Sequence, residues 1–432
     1  MKKVLIVTYY WPPAGGPGVQ RVLKFAKYLP EFGWEPLILT VCKGEYPAYD
    51  ESLLEEVPGD LKVFRTESFE PFTLYKRFTG SKSEDAVPVA VLSQKGLPLK
   101  KRIAHFIRLN LIIPDAKKGW KRYALKAARN IISEERPDLI FSSSPPPTVH
   151  LIARKLAERY KIKWVADLRD RWSKIHYYKK QRLALPGRID AALEKRTLSR
   201  ADRIITVSQH FAGLINSEKK QIDVIPNGFD RDDFKCPDKE LFQNNVLQIS
   251  YIGGLNQNRY YPEFFTALKD FTVKAKLKSD RIQLNIAGMI QPEFRDSIIG
   301  LMEEKVKINF TGYLSHGKAL ELMSVSDVLL LFLEQVADYE GHVPGKLFEY
   351  LNSGRYVLGL GPKNGNAAGI INRTKGGTML AKEDNIEASL RGIYSKWEKG
   401  ALRGADPADL SKFSRKELTK DLTRIFGDVI CE

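Results

Sequence analysis

Short apolar runs of strand length alternate along the chain with stretches whose apolar residues recur at helical spacing, the pattern of parallel α/β sheets. Strands are expected at 4–9, 36–41, 138–142, 163–167 and 203–207, and a second series starts afresh at 247–252, 282–287, 307–310, 327–332 and 356–360. Between the first two strands, a helix over 18–32 carries Val19, Val22, Leu23, Ala26 and Leu29 on one stripe, with Gly33 as its stop. Two doubly wound units in tandem accommodate this better than one large sheet. The switch is expected in "NSEKKQI", 216–222, giving an N-terminal unit over 1–218 and a second over 219–411. The last helical pattern, "FSRKELTKDLTRIF", opens with Ser414 and Glu417 spaced as a capping box. It aligns Leu418, Leu422 and Ile425 on one face that must pack somewhere.

Composition narrows the class. With 432 residues, 43% hydrophobic and 28% charged, the chain is globular and too long for one ordinary core. No apolar run approaches the roughly 20 residues of a membrane span. The opening "MKKVLIVTYYWPP" is too short for a signal peptide and is better taken as a first strand. Cys42, Cys236 and Cys431 are too few and too scattered for a disulfide framework or a zinc cluster, and a cytoplasmic protein is expected.

Charge changes the picture more. The formal net charge is +17, and residues 71–130 hold 14 Lys/Arg against 3 Asp/Glu. Such a window asks for an anionic partner. Nucleic acid is not expected, because no stacking aromatics, zinc pattern or helix-turn-helix accompany it. In "LPLKKRIAHFIRLNLII" Ile103, Phe106 and Ile107 sit at helical spacing among Lys100, Lys101, Arg102 and Arg108. Residues 95–130 are therefore expected to meet an anionic membrane surface, the alternative being a helix that buries the stripe in its own domain.

In open α/β sheets ligands bind past the carboxyl ends of the strands, so the strand-to-helix loops carry the chemistry. The first, "YYWPPAGGPGVQR", offers Gly15, Gly16 and Gly18 for close backbone approach. It is not a dinucleotide fingerprint, since Arg21 replaces the third glycine and strand two ends without an acid; nor is it a P-loop. "YIGGLNQNRYY" repeats the device with Gly253, Gly254 and the candidate phosphate ligand Arg259. "HVPGKLFEYLNSGRYVLGL" opens a helix at Pro344 and Gly345, adds Lys346 and sets Glu349 one turn deeper. That is an anion site followed by an acceptor for a sugar diol, or else a solvated lysine and a glutamate that complements the helix dipole. "DLRDRW" brings Asp167, Arg169 and Asp170 to a strand tip; Asp170 is the preferred acceptor-side acid or base, the alternative being an Asp–Arg pair that fixes the loop.

Together with "DLIFSSSPPPTVHLIARKL", "ADRIITVSQHF", "VIPNGFD" and "FTGYLSH", in this order, these motifs make the chain resemble the retaining glycosyltransferases of family 4 over essentially its whole length. The resemblance implies the GT-B fold: two Rossmann-like domains facing a cleft, with residues 412–432 crossing back to the first. It implies a donor, a UDP- or GDP-sugar, held by Gly16, Gly253, Gly254, Arg259, Tyr313, Gly345, Lys346, Leu347 and the ribose-binding Glu349. Arg259 and Lys346, with Asp170, would carry catalysis without a metal or other cofactor. Gly18, Arg21, His150, Asp167 and Arg169 would lie on the acceptor side. The expected acceptor is a lipid-linked saccharide in cell-surface polysaccharide synthesis, with the enzyme peripheral on the inner face of the plasma membrane.

Two departures stand out. The second family glutamate would fall at Gly341, with Glu340 adjacent, and the histidine that often follows the fourth strand is replaced by Ser142–Ser144, with His150 further on. A nucleotide-sugar epimerase on the same fold, a non-catalytic nucleotide-sugar-binding protein and a basic nucleic-acid binder are the competing classes.

Overall fold

The computed structural model describes residues 1–46, 48–69, 99–174, 181–215, 221–234, 245–302, 305–336 and 340–432. The chain divides into two compact units, Met1–Pro226 with Arg415–Glu432, and Asn227–Ser414.

The first unit is built on strands β1 Lys2–Val7, β2 Trp34–Val41, β3 Lys62–Thr66, β4 Leu139–Ser144, β5 Lys163–Leu168, β6 Arg203–Thr206 and β7 Ile222–Val224. All pair in parallel, in the order β3-β2-β1-β4-β5-β6-β7, so the winding reverses between β1 and β4. Its helices are α1 Pro17–Tyr28, α2 Leu99–Asn110, α3 Lys121–Glu135, α4 Thr148–Tyr160, α5 Ala184–Leu198 and α6 Gln209–Leu214. The helix expected over 18–32 gives way after Tyr28 to a 3₁₀ turn, Leu29–Phe32, because Pro30 has no amide to continue the ladder; Gly33, at φ 81°, closes it.

The second unit repeats the plan with β8 Leu247–Ile252, β9 Ile282–Ala287, β10 Lys307–Gly312, β11 Val328–Phe332, β12 Tyr356–Leu360 and β13 Gly377–Leu380, in the order β10-β9-β8-β11-β12-β13. Its helices are α7 Pro262–Lys274, α8 Pro292–Met302, α9 His316–Val325, α10 Lys346–Asn352, α11 Asn366–Arg373 and α12 Ile386–Glu398. Central β11 shows why the sheet needs helices on both sides. Val328, Leu330 and Phe332 enter one core, and Leu329, Leu331 and the following Leu333 enter the other.

The strands β3, β7 and β13, absent from the sequence reading, are all edge strands. Because β7 still belongs to the first sheet, the division falls after it rather than within 216–222, of which 216–220 lie outside the described residues. So do residues 70–98 of the basic window and Cys236, whereas Cys42 and Cys431 are free and exposed. The apolar stripe of α2 is not buried in its own domain: Ile103, Phe106 and Ile107 are exposed. Among the described residues no helix is long and apolar enough to cross a membrane.

The final helix, α13 Arg415–Cys431, is part of the first unit. Leu418, Leu422, Phe426 and Val429 are buried at helical spacing, with Ile425 partly buried beside them. The Phe426 ring meets Trp34 of β2 at 5.2 Å and Phe141 of β4 at 5.5 Å between centroids, edge to face. Phe426→Ala leaves a cavity against both strands and should cost about 3–5 kcal/mol. Urea unfolding followed by fluorescence will test this; an unchanged midpoint would mean that the helix adds little to the first unit.

Candidate active site

In the second unit three strands end on glycines with positive φ: Gly253 after β8 (136°), Gly288 after β9 (125°) and Gly312 at the end of β10 (72°). A Cβ on Gly288 would lie 2.3 Å from the Gly253 carbonyl oxygen, so these two loops meet backbone to backbone. Gly253 N–H donates to Ala287 O and Gly288 N–H to Gly312 O, which ties the three loops into one edge.

The helix α10 holds this edge from the other side. Lys346 and Tyr350, four residues apart, share one face. The Tyr350 hydroxyl meets both the amide (3.1 Å) and the carbonyl (3.3 Å) of Ile252, and Lys346 Nζ donates to the same carbonyl at 3.0 Å. Lys346 Nζ also lies 4.4 Å from the Tyr251 ring centroid and 5.7 Å from that of Tyr350. A side chain at Gly253 would approach this ammonium to 3.3 Å. Burial between the rings, then the nearby Arg259 charge, pulls the Lys346 pKa down to about 7, against the opposing pull of Glu349. Burial likewise pushes Tyr251 up to about 12.

Arg259 reaches Glu334 at 2.8 Å, and Glu349 Oε1 lies 3.2 Å from His316 Nε2 at the start of α9. Each charged group expected around the diphosphate or ribose thus has an internal partner at this edge. Gly345 stands open, since a Cβ there meets nothing within 4 Å. The Leu347 amide, expected to face a phosphate, already donates to Pro344 O in the tight turn that begins α10. Gly254 has only Met289 O near its Cβ direction, at 3.8 Å, and Tyr313, next to Gly312, is exposed. His316, Glu334, Tyr350 and Gly288 were not singled out from the sequence. His316 stands in "FTGYLSH", but its partner is 33 residues away and no local pattern links them.

In the first unit, most residues expected on the acceptor side turn inward. Arg21 and Asp167 form a buried two-bond pair (3.0 and 2.9 Å); Arg21 also donates to Pro226 O, and Ser143 Oγ donates to Asp167. Arg169 does not pair with either aspartate. It donates to the carbonyls of Ser144, Pro145 and Gly18, joining the ends of β4 and β5 to the start of α1, and burial lowers its pKa. His150 is fully buried, stacked on Trp172 with 6.0 Å between centroids, its Nδ1 2.8 Å from Ser142 Oγ, which also accepts from Trp164 Nε1. Burial drives its pKa to about 3, so it stays neutral. All four are buried and brace the loops from inside. Gly16 is exposed, at φ 92°, and Gly18 sits against the Arg169 guanidinium. Asp170 is exposed at the tip of β5, lining a small pocket with Arg171, Lys174, Glu194 and Phe211. Among the described residues no group of three or more His, Cys, Asp or Glu could hold a metal ion.

The model of Glycosyltransferase Family 4 matches residues 18–233, half of the chain. The chain belongs to glycosyltransferase family 4. Its GT-B fold is shared by solved structures of low sequence identity. A sucrose-phosphate synthase from Thermosynechococcus elongatus superposes with a TM-score of 0.65 at 13% identity, covering 100% of both chains. A glycosyltransferase from Rickettsia africae gives 0.62 at 15%, covering 99% of this chain and 98% of that one. Anabaena HepE, solved in complex with UDP and glucose, gives 0.62 at 12%, covering 99% and 100%. No curated protein sequence matches.

The Lys346 environment of this family 4 chain makes a pH prediction. The unfolded lysine keeps its proton up to about 10.5, whereas the folded one releases it near 7, so this group's contribution to stability rises with pH between those values. A diphosphate bound against Lys346 would restore the proton. UDP binding at pH 8 should therefore take up close to one proton, read as a buffer-dependent calorimetric enthalpy that Lys346→Met abolishes. Identical enthalpies in buffers of different ionisation heat would rule this out.

Proposed function

We propose that the protein transfers a sugar, with retention, from a UDP- or GDP-sugar to a lipid-linked saccharide in cell-surface polysaccharide synthesis. The observation that carries the proposal is the convergence of Arg259, Lys346 and Glu349 on the glycine edge of the second sheet. Two cations beside backbone that a ligand can approach closely suit a diphosphate, and a carboxylate one helical turn below suits a ribose diol. The UDP and glucose bound in Anabaena HepE lend support by fold alone.

On this reading Glu349 accepts hydrogen bonds from the ribose hydroxyls while His316 holds its Oε1. As the bond between the sugar C1 and the β-phosphate oxygen breaks, its electron pair stays on that oxygen, where Lys346 and Arg259 stabilise the growing charge. The acceptor hydroxyl then bonds to C1 on the same face and passes its proton to the departing diphosphate. The two cations take the role that a resident metal ion would otherwise fill. Asp170 stands ready on the acceptor side, its carboxylate at the surface.

Glu349→Ala should weaken UDP binding by roughly 1–3 kcal/mol, the cost of leaving buried hydroxyls without an acceptor. Titration calorimetry measures it, and wild-type affinity in the variant would remove the ribose role. A UDP-sugar converted to its isomer with no acceptor present would instead identify an epimerase.

We place the enzyme at the inner face of the membrane through α2. Ile103, Phe106, Ile107 and Leu111 expose 51, 49, 40 and 70% of their surface, within a stretch rich in Lys and Arg. Apolar side chains entering the interface with cations at headgroup level fit that pattern, each cation contributing on the order of 1 kcal/mol. Co-sedimentation with anionic vesicles, weaker with neutral ones and reversed by salt, is the expected result. A Lys100/Lys101/Arg102→Glu variant should lose the vesicles and keep UDP binding; equal binding to both kinds of vesicle, or to neither, would end the membrane reading.

A further inference from the structure

The helix α5 is inside out at its start. Its buried positions are Asp190, Thr197 and Leu198, while Leu185 and Ile189, one helical turn apart, are exposed by 69 and 50%, and Leu183 just before them by 54%. A helix on a globular core normally buries the leucines and shows the aspartate to water. Here the polar contacts fix the rotation. Asp190 accepts from Trp172 Nε1 at 2.9 Å and pairs with Arg182. Arg182 in turn donates to Leu109 O at 2.8 Å and to Pro114 O.

The same contacts fasten this segment to α2. Leu183 N–H donates to Asn110 Oδ1 at 2.8 Å, and Gln181 Oε1 lies 2.6 Å from His105 Nε2. These bonds bring the segment that carries exposed Leu183, Leu185 and Ile189 next to α2, although some 70 residues of sequence separate the two. Together the two segments hold seven of the sixteen large apolar side chains that are exposed among the described residues. A patch of that size on a soluble surface calls for a partner.

Charge selects the partner. Next to Ile189, Arg188 is exposed, as are Arg102 on α2 and, further along α5, Lys195 and Arg196; Arg200, just past the helix, pairs with Glu158. The acids of α5 are turned away: Asp190 is buried, and Glu194 accepts from Ser173. Apolar tips with exposed cations on both elements, and with both carboxylates of α5 engaged internally, complement an anionic lipid surface.

We propose that the segment Leu183–Ile189 is a second membrane-contacting element, entering the lipid interface beside α2 so that the protein docks on two elements in a fixed orientation. This rests on the membrane reading of α2 and goes beyond it by adding an apolar anchor from a distant part of the sequence.

The test uses the full chain with vesicles of phosphatidylglycerol and phosphatidylcholine. Leu185→Ser/Ile189→Ser keeps every charge and touches no buried side chain. It should weaken partitioning at least about tenfold, as expected from returning two large apolar groups to water, with UDP binding and thermal midpoint unchanged. Because the lost contribution is apolar, the deficit should persist in high salt, whereas the α2 charge variant should differ from wild type chiefly at low salt. If the serine variant partitions like wild type while the α2 variant is released, α5 is no anchor and the one-helix reading stands. If wild type ignores anionic vesicles, both fall. If the serine substitutions instead convert a dimer to a monomer by light scattering, without altering partitioning, a second copy covers the patch and the proposal is overturned.

Discussion

A parallel sheet has two apolar faces and none to leave wet, and both units are organised by that constraint. Every strand-to-strand return must pass over a face, so helices cover both sides and the chain's polar loops are driven to the strand ends. In the second unit this is visible within β11, whose consecutive residues enter opposite cores. In the first unit the covering is completed by α13, which follows the second unit in sequence yet packs on Trp34 and Phe141 of the first sheet. The strand ends and their loops are what the covering helices leave open.

At those ends the two units use polar groups differently. In the first, charge is neutralised inward: the Arg21–Asp167 pair and the three carbonyls held by Arg169 lock the loops from below. Removing one member of such a buried pair leaves an uncompensated charge, at a cost of about 3–5 kcal/mol, so these groups hold the loops rigid. In the second, the cations rest on a carbonyl, rings and a carboxylate near the strand ends. Lys346 rests on one carbonyl and two aromatic rings, and Arg259 pairs with a glutamate that is not fully buried.

How much of this was legible in the sequence depended on whether the signal was local. Central strands announce themselves as continuous apolar runs, and the stripe of α13 was plain from Leu418 and Leu422. Three edge strands were not: β3 "KVFRT" carries two charges in five residues, β7 is three residues long and β13 opens on glycine. The residues around Lys346 and Glu349 could be named because helix spacing relates them. Their partners could not, since His316 and Glu334 meet Glu349 and Arg259 only through the sheet order. Direction was the hardest property to infer. Arg21, His150, Asp167 and Arg169 lie in or next to the strand-to-helix connections, but which way such a side chain points is decided by neighbours such as Ser142, Ser143 and Trp172.

The return of α13 to the first sheet has a consequence during synthesis. The strands β2 and β4 emerge early, but the helix that covers Trp34 and Phe141 emerges only after Asn227–Ser414 has been made. At about 5–20 residues per second, that interval lasts on the order of 10–40 s. Throughout it the nascent first unit carries an uncovered aromatic patch, and the second unit is able to fold before the first is complete. The order of birth of the two units is thus the reverse of their order of completion, and the first depends on its own last-made segment, or on a chaperone, to keep that patch from other chains.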